Sequence, residues 1–275
     1  MQYKLIALDL DGTLTTSQKN VTERSRRAIQ EAAARGVHIV LASGRPSVGI
    51  FPVAEVLDLK TIGGYILAYN GGEILDCRTG AQLISCTIPE EYYSDLAALA
   101  RVYDDVTVLT YNHEGVITED AQNPYVALEA KINRIPVTEV PDLAAAIEGP
   151  VNKMLAVGTH EHLRAIQRQL KDKYGDRLNV FFSETYFLEI VPPRIEKAAS
   201  LERLLSCLGI KQEELIACGD GLNDITMIDY AGLGVAMANG QDAVKSRADY
   251  ITDTNDNDGV AKVIEKYILG MESVE

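Results

Sequence analysis

Two aspartates near the amino terminus, Asp9 and Asp11, directly follow a short apolar segment. Residues 3–8 have the length and composition of a buried strand of a parallel sheet. Alternate residues of a strand point to the same side, so both carboxylates can project into one small site while Leu10 points back into the protein. Such a pair requires a cation or a shared proton, and its hard oxygen ligands suit Mg²⁺.

Other strand ends carry further groups that could do chemistry. Residues 37–42 predict a second buried strand, and it ends in Ser43 and Gly44 ahead of a helix, where a hydroxyl and backbone N–H groups can bind an anion. Residues 215–218 predict another strand, and the acidic sequence Gly-Asp-Gly-Leu-Asn-Asp follows it at 219–224. These strand ends predict one polar site built from several distant segments.

Lys197 stands at the head of a predicted helix whose apolar stripe continues to Leu208. A lysine at a helix start opposes the helix dipole and therefore favours an anion nearby. For Lys197 a solvated surface position is an open alternative, as a simple loop is for Ser43 and Gly44.

Strand and helix patterns alternate along the chain, which predicts an α/β fold. We expect a doubly wound, mostly parallel, Rossmann-like sheet from residues 1–83 and 188–275, with residues 188–191 returning the chain to this core. In such a sheet the carboxyl ends of the strands line one crevice. In residues 84–187 strand and helix signals alternate differently and include a predicted hairpin and one charged amphipathic helix, and we interpret this segment as an inserted α/β cap domain.

The sequence Asp-Leu-Asp-Gly-Thr-Leu at 9–14 resembles the first motif of the haloacid dehalogenase-like hydrolase superfamily in its phosphatase form. Ser43, Lys197 and the acidic sequence at 219–224 resemble the three later motifs, in the same order. A large α/β insert between the second and third motifs is typical of one branch, the Cof-type sugar phosphatases. The resemblance thus extends over most of the chain.

This resemblance implies a mechanism and a set of site residues. Asp9 would attack phosphorus to form an aspartyl-phosphate. Asp11, protonated for part of the cycle, would give a proton to the leaving oxygen and then activate water. The implied cofactor is Mg²⁺, held by Asp9, Asp220 and the backbone carbonyl of Asp11. The implied phosphate-binding residues are Leu10, Ser43, Gly44, Lys197 and Asn223, with Asp224, Thr13 and Arg45 in supporting positions.

The net charge of the chain argues against two classes of binding partner. The chain has 275 residues and a formal net charge of -14 at pH 7. Nucleic acids and anionic membranes bind surfaces with a surplus of Lys and Arg, so we expect neither as a partner. The four cysteines show no C-x-x-C spacing, and no basic and apolar leader is evident, so we expect a cytoplasmic protein.

Three functions are compatible with the sequence. The first is a Mg²⁺-dependent phosphatase that acts on a small phosphorylated metabolite, with sugar phosphates favoured. The second is a phosphomutase or phosphotransferase that uses the same acids. The third is a binding module phosphorylated on Asp9 without turnover, which Asp11 argues against because it would speed loss of the phosphate. The sequence leaves open the substrate and the oligomeric state; cap residues such as His113, Glu114, Arg134, Lys153 and His160 could contact the substrate.

Overall fold

The computed structural model of the chain describes residues 3–271. Its strands within these residues are β1 (Leu5–Leu8), β2 (His38–Ala42), β3 (Tyr65–Ala68), β4 (Glu73–Asp76), β5 (Gln82–Ser85), β6 (Thr107–Tyr111), β7 (Val116–Thr118), β8 (Val137–Glu139), β9 (Met154–Val157), β10 (Asn179–Glu184), β11 (Phe187–Val191), β12 (Leu215–Gly219), β13 (Leu233–Ala236) and β14 (Tyr250–Ile251).

The α-helices in the same part of the chain are α1 (Glu23–Ala34), α2 (Phe51–Val56), α3 (Leu59–Ile62), α4 (Tyr93–Ala97), α5 (Pro124–Asn133), α6 (Leu143–Ala146), α7 (His160–Tyr174), α8 (Lys197–Leu208), α9 (Ile225–Tyr230), α10 (Asp242–Lys245) and α11 (Gly259–Ile264). None of these described helices has the length and apolar character that a membrane span requires. Contacts divide the chain into two units: unit 1 is Met1–Ile84 with Glu196–Glu275, and unit 2 is Ser85–Ile195.

The sheet of unit 1 has the strand order β14-β13-β12-β1-β2-β3-β4-β5. The pairs from β14 to β3 are parallel, and β4 joins β3 antiparallel. Taken in chain order, the six parallel strands show the doubly wound order 3-2-1-4-5-6. The connections reverse direction between β1 and β12, and ligands bind at such a reversal in open α/β sheets. The predicted α/β class with a mostly parallel sheet is confirmed.

Helices cover both faces of this sheet because its strands are apolar on both sides. Ile6 and Leu8 of β1 belong to a core with residues of α1 and α11, such as Ile29 and Val260. The alternate strand residues, among them Leu5 and Ala7, belong to a second core with Leu201, Leu204 and Leu205 of α8. This two-sided burial agrees with the continuous apolar segments of the sequence, since strands buried on both faces lack a polar alternation.

Unit 2 has its own six-stranded sheet in the order β10-β11-β9-β6-β7-β8. Its pairs are antiparallel except for β7 with β8. Helices α4 and α7 supply apolar residues to one core of the unit, and α5 supplies Val126 and Ala130 to another. Unit 2 is therefore an α/β unit with a hydrophobic interior of its own.

One strand lies in a different sheet from the one we expected. Residues 188–191 belong to β11 of unit 2, where Leu188 lies opposite Ala156 of β9 and Phe182 of β10. Leu188 and Ile190 are fully buried in a core of unit 2. The expectation that this segment returns to the first sheet is therefore wrong, because its alternating apolar side chains fill unit 2 and the contacts place the change of unit after Ile195.

Candidate active site

The two acidic segments meet where the strand order of unit 1 reverses. Strands β1 and β12 are parallel neighbours, with Leu8 opposite Cys218, and the backbone N–H of Asp9 donates to the Cys218 carbonyl at 3.0 Å. Asp9 and Asp220 each follow directly on one of these strands. Residues 211 positions apart in the sequence therefore extend from the same edge of the sheet.

Three carboxylates form a compact group at this edge. One oxygen from each of Asp9, Asp220 and Asp224 lies within 4.8 Å of the others. Lys197 at the first position of α8 is buried beside them, and its Nζ donates to Asp9 Oδ1 at 2.7 Å, to Asp224 Oδ1 at 2.6 Å and to the Ala42 carbonyl at 2.9 Å. One buried ammonium thus serves two of the three carboxylates directly.

The local electrostatics reflect an excess of negative charge. Burial, together with repulsion from Asp224, raises the pKa of Asp9 to about 8 although Lys197 lowers it. Burial and the charge of Asp224 also raise the pKa of Asp220 to about 6, against the hydrogen bond from Thr13. The hard oxygen donors and their mutual proximity fit a small divalent cation such as Mg²⁺, which would offset this charge.

The turn after β1 holds Asp220 in place. Gly12 has a φ of +84°, and a Cβ at this position would lie 2.4 Å from Asp220 Oδ2. Thr13 donates from Oγ1 to Asp220 Oδ1 at 2.7 Å, while Asn239 donates to the Gly12 carbonyl at 2.8 Å. The glycine is therefore required both for the left-handed backbone and for the close approach of the carboxylate.

Asp11 is not one of the three grouped carboxylates, and two cations hold it. Arg45 donates to its two oxygens, from Nε at 2.7 Å and from Nη2 at 2.5 Å, and Lys19 donates from Nζ at 2.5 Å. Burial alone would raise the pKa of Asp11, but the hydrogen bonds and charges of Arg45 and Lys19 prevail and lower it. The partly protonated Asp11 that we expected is thus disfavoured in this arrangement.

Asp224 has more contacts than its predicted supporting position suggested. Its Oδ1 accepts from Lys197, and its Oδ2 accepts from the backbone N–H groups of Asp220 and Gly221 at 3.0 and 2.9 Å. This buried carboxylate therefore fixes both the lysine and the acidic loop.

The sequence analysis did not identify Lys19 as a partner of Asp11. A lysine in a polar loop shows no sequence pattern that indicates which carboxylate it contacts.

The remaining predicted phosphate-binding residues line the same edge of unit 1. The side chain of Leu10 is buried, as strand alternation predicts, and Ser43 is buried with its Oγ accepting from the Arg45 N–H at 3.2 Å. Asn223 is exposed, and its Nδ2 donates to Asn70 Oδ1 at 3.0 Å. Lys197 and Asn223 thus occupy different depths of the site, the first wholly inside the protein and the second at its surface.

In unit 2, the residues that could contact a substrate differ in burial. Lys153 is buried and forms an ion pair with Glu189 at 3.2 Å, with its Nζ 5.2 Å from the centre of the Tyr111 ring. The Tyr111 hydroxyl donates to the buried Glu129. His113 is exposed. Unit 2 therefore contains a polar cluster in which Lys153 and Glu129 are buried and Glu189 and Tyr111 are half-buried.

The chain is similar to known proteins over almost its whole length. A family model described as haloacid dehalogenase-like hydrolase matches residues 6–264. A protein of Streptococcus pyogenes named as a phosphatase is 31% identical over 98% of this chain and 100% of its own length. A Bacillus subtilis protein named 5-amino-6-(5-phospho-D-ribitylamino)uracil phosphatase is 32% identical, covering 98% of this chain and 97% of that protein.

Solved structures give the same result. The crystal structure of a haloacid dehalogenase-like hydrolase from Bacteroides thetaiotaomicron is 45% identical in sequence and superposes with a TM-score of 0.93, covering 96% of this chain and 99% of the other. The match extends over both units, and the family model begins within β1 and ends at the last residue of α11. The chain therefore belongs to the haloacid dehalogenase-like hydrolase family, in its Cof-type branch, and is a phosphatase.

Proposed function

We propose that this phosphatase is Mg²⁺-dependent and hydrolyses small phosphorylated metabolites, sugar phosphates first among them, through an aspartyl-phosphate on Asp9. The observation that carries the proposal is the group of three carboxylates, Asp9, Asp220 and Asp224, beside one buried lysine. A phosphate dianion could not approach so much negative charge without a further cation. Asp9 and Asp220, with the backbone carbonyl of Asp11, would hold Mg²⁺, which when bound would neutralise charge between the carboxylates and the phosphate.

In the first step, a carboxylate oxygen of Asp9 would form a bond to phosphorus while the bond from phosphorus to the leaving oxygen breaks. Lys197 orients Asp9 for this attack and favours its ionised form. The leaving oxygen requires a proton, which the acid form of Asp11 would supply. That form is disfavoured while Arg45 and Lys19 remain paired with Asp11.

In the second step, Asp11 would remove a proton from water, and the resulting hydroxide would attack the phosphorus bonded to Asp9. The ionised state that Arg45 and Lys19 favour is the state that this base requires. Cleavage of the acyl-phosphate bond then returns Asp9 as a free carboxylate and releases inorganic phosphate. Positioning and charge neutralisation account for most catalysis of phosphoryl transfer, so no organic cofactor is needed.

We also propose that unit 2 acts as the cap that selects among substrates, in keeping with the resemblance to the Cof-type branch. Its polar cluster, which includes the ion pair of Lys153 with Glu189, is the first candidate for this selection. Exchange of Lys153 for Met should change the order of preference within a panel of substrates. The same order for the variant and the wild type would argue against this role of Lys153.

A screen for phosphate release tests the proposed function. The panel should contain sugar and polyol phosphates, and 5-amino-6-(5-phospho-D-ribitylamino)uracil, the compound in the name of the Bacillus subtilis relative. Net release of inorganic phosphate separates a phosphatase from a phosphomutase, which would return isomerised phosphoester instead. Full turnover in excess chelator would contradict the Mg²⁺ dependence.

Substitution of the nucleophile provides the second test. Asp9→Asn should abolish hydrolysis while it preserves the shape of the side chain. Asp229→Asn is the matched control, because Asp229 forms an ion pair with Arg247 at the surface of the same unit and should leave turnover unchanged. Near-normal rates for Asp9→Asn would remove the aspartyl-phosphate from the proposal.

A further inference from the structure

The turn between β3 and β4 has an unusual backbone. Tyr69 and Asn70 are consecutive non-glycine residues with φ values of +52° and +56°. An L-residue adopts this left-handed conformation at an energetic cost, which Asn tolerates better than Tyr. Such conformations persist only where the surrounding structure enforces them, and they concentrate at functional sites. The contacts of the turn should therefore show what holds Tyr69 and Asn70 in this conformation.

The backbone of the turn contacts two segments that we assign to phosphate binding. The N–H groups of Tyr69 and Asn70 donate to the carbonyls of Arg45 at 3.0 Å and Ser43 at 2.9 Å. On the other side, the Gly71 carbonyl accepts from the Ser200 hydroxyl at 2.7 Å, in the first turn of the helix that begins with Lys197. The turn therefore joins the second strand end to the start of α8.

The side chain of Asn70 contacts two more of the assigned residues. Its Oδ1 accepts from Asn223 Nδ2 at 3.0 Å. A Cβ placed on Gly44 would lie 3.1 Å from Asn70 Nδ2 and 3.2 Å from its Oδ1, so the amide packs directly against the Gly44 backbone. The amide thus lies between Gly44 and Asn223, and no described residue accepts a hydrogen bond from its Nδ2.

We propose that Asn70 is a phosphate-binding residue of this site. Its Nδ2 donates a hydrogen bond to an oxygen of the bound phosphate group, while its Oδ1 holds the amide of Asn223. An amide nitrogen carries two N–H donors, so Asn223 keeps one for the phosphate after it has donated to Asn70. The strained turn then serves to place a neutral donor among Ser43, Gly44 and Asn223. This inference rests on the proposed function, because it requires a phosphate at the site.

The probe is inorganic phosphate, and the readout is the constant for its inhibition of aryl phosphate hydrolysis by the 275-residue chain in the presence of Mg²⁺. Asn70→Gly removes the amide but suits the left-handed backbone, so the midpoint of thermal unfolding should stay level or rise. The inhibition constant should rise about ten- to a hundredfold, the expected loss of one hydrogen bond to a charged group. Asp58→Gly is the matched control, since Asp58 has a φ of +58°, is exposed and caps no helix with its side chain. It should leave the inhibition constant unchanged.

A second variant separates binding from positioning. Asn70→Asp keeps an oxygen that accepts from Asn223 but replaces the donor with an anion, so it should weaken phosphate inhibition at least as much as Asn70→Gly. An inhibition constant for Asn70→Asp close to that of the wild type would overturn the donor role. An inhibition constant for Asn70→Gly within twofold of the wild type, in an active enzyme, would overturn this inference alone. A wild type that neither releases phosphate from any substrate nor binds inorganic phosphate would overturn the proposed function as well.

Discussion

Replacing Lys197 by Met tests the electrostatic description of the site most directly. The two side chains are similar in length, so the change removes the ammonium from Asp9 and Asp224 and creates little empty space. Removing one partner of a buried ion pair destabilises a protein by about 3–5 kcal/mol, because the other charge remains buried without compensation. Asp9 has a pKa of about 8 and can take up a proton, so we expect the lower end of this range.

Urea unfolding, followed by circular dichroism in excess chelator and again in Mg²⁺, measures the loss of stability. In chelator the free energy of unfolding should fall by about 3 kcal/mol for Lys197→Met. In Mg²⁺ the loss should be smaller, since a bound cation would neutralise the same carboxylates. Lys262→Met is the matched control in unit 1: its ion pair with Asp253 is also short, at 2.6 Å, but both side chains are more than a third exposed. That variant should lose less than about 1 kcal/mol. Equal losses for the two variants in chelator would refute the reasoning.

Three further predictions concern single residues. Gly12→Ala should reduce both activity and thermal stability more than Gly80→Ala does. Both glycines have a positive φ, but of the two only Gly12 would bring its new Cβ against a neighbouring group, the Asp220 carboxylate. Equal effects of the two substitutions would contradict the steric argument. Burial raises the pKa of Asp105, but hydrogen bonds from the Thr159 N–H and from His162 outweigh this effect and lower the pKa from 3.8 to about 2. The stability that this carboxylate contributes is therefore present above about pH 4 and is lost as the pH falls through 2. The midpoints of thermal unfolding of the wild type and Asp105→Asn should differ at pH 7 and become equal near pH 2. With p-nitrophenyl phosphate as substrate, Asp11→Asn should release a burst of p-nitrophenol and accumulate a phosphoryl adduct on Asp9. The p-nitrophenolate leaving group needs no proton, but hydrolysis of the adduct still needs a base. Slow turnover without a burst or an adduct would contradict the acid–base role of Asp11.

The local pattern of the sequence was sufficient for much of the framework. Apolar segments that end in acids or in Ser-Gly predicted β1, β2 and β12 with their polar ends, because a strand buried on both faces leaves only its ends available for polar groups. The helix that begins with Lys197 and ends before Gly209 followed from its apolar periodicity and its terminal glycine. The order of four motifs predicted the family, which the comparisons confirm.

The tertiary structure decided which of these groups touch. Lys197 bonds to Asp9 across 188 positions, and Thr13 bonds to Asp220 across 207, so no local periodicity can reveal either contact. The pairing of Lys19 with Asp11 and the contact of Asn70 with Asn223 are hidden for the same reason.

The change of unit after Ile195 also depended on tertiary structure. The apolar residues of segment 188–191 do not by themselves identify the sheet that this segment joins. Its alternation specifies which residues are buried, but its partner strands, β9 and β10, are chosen by the packing of the whole unit.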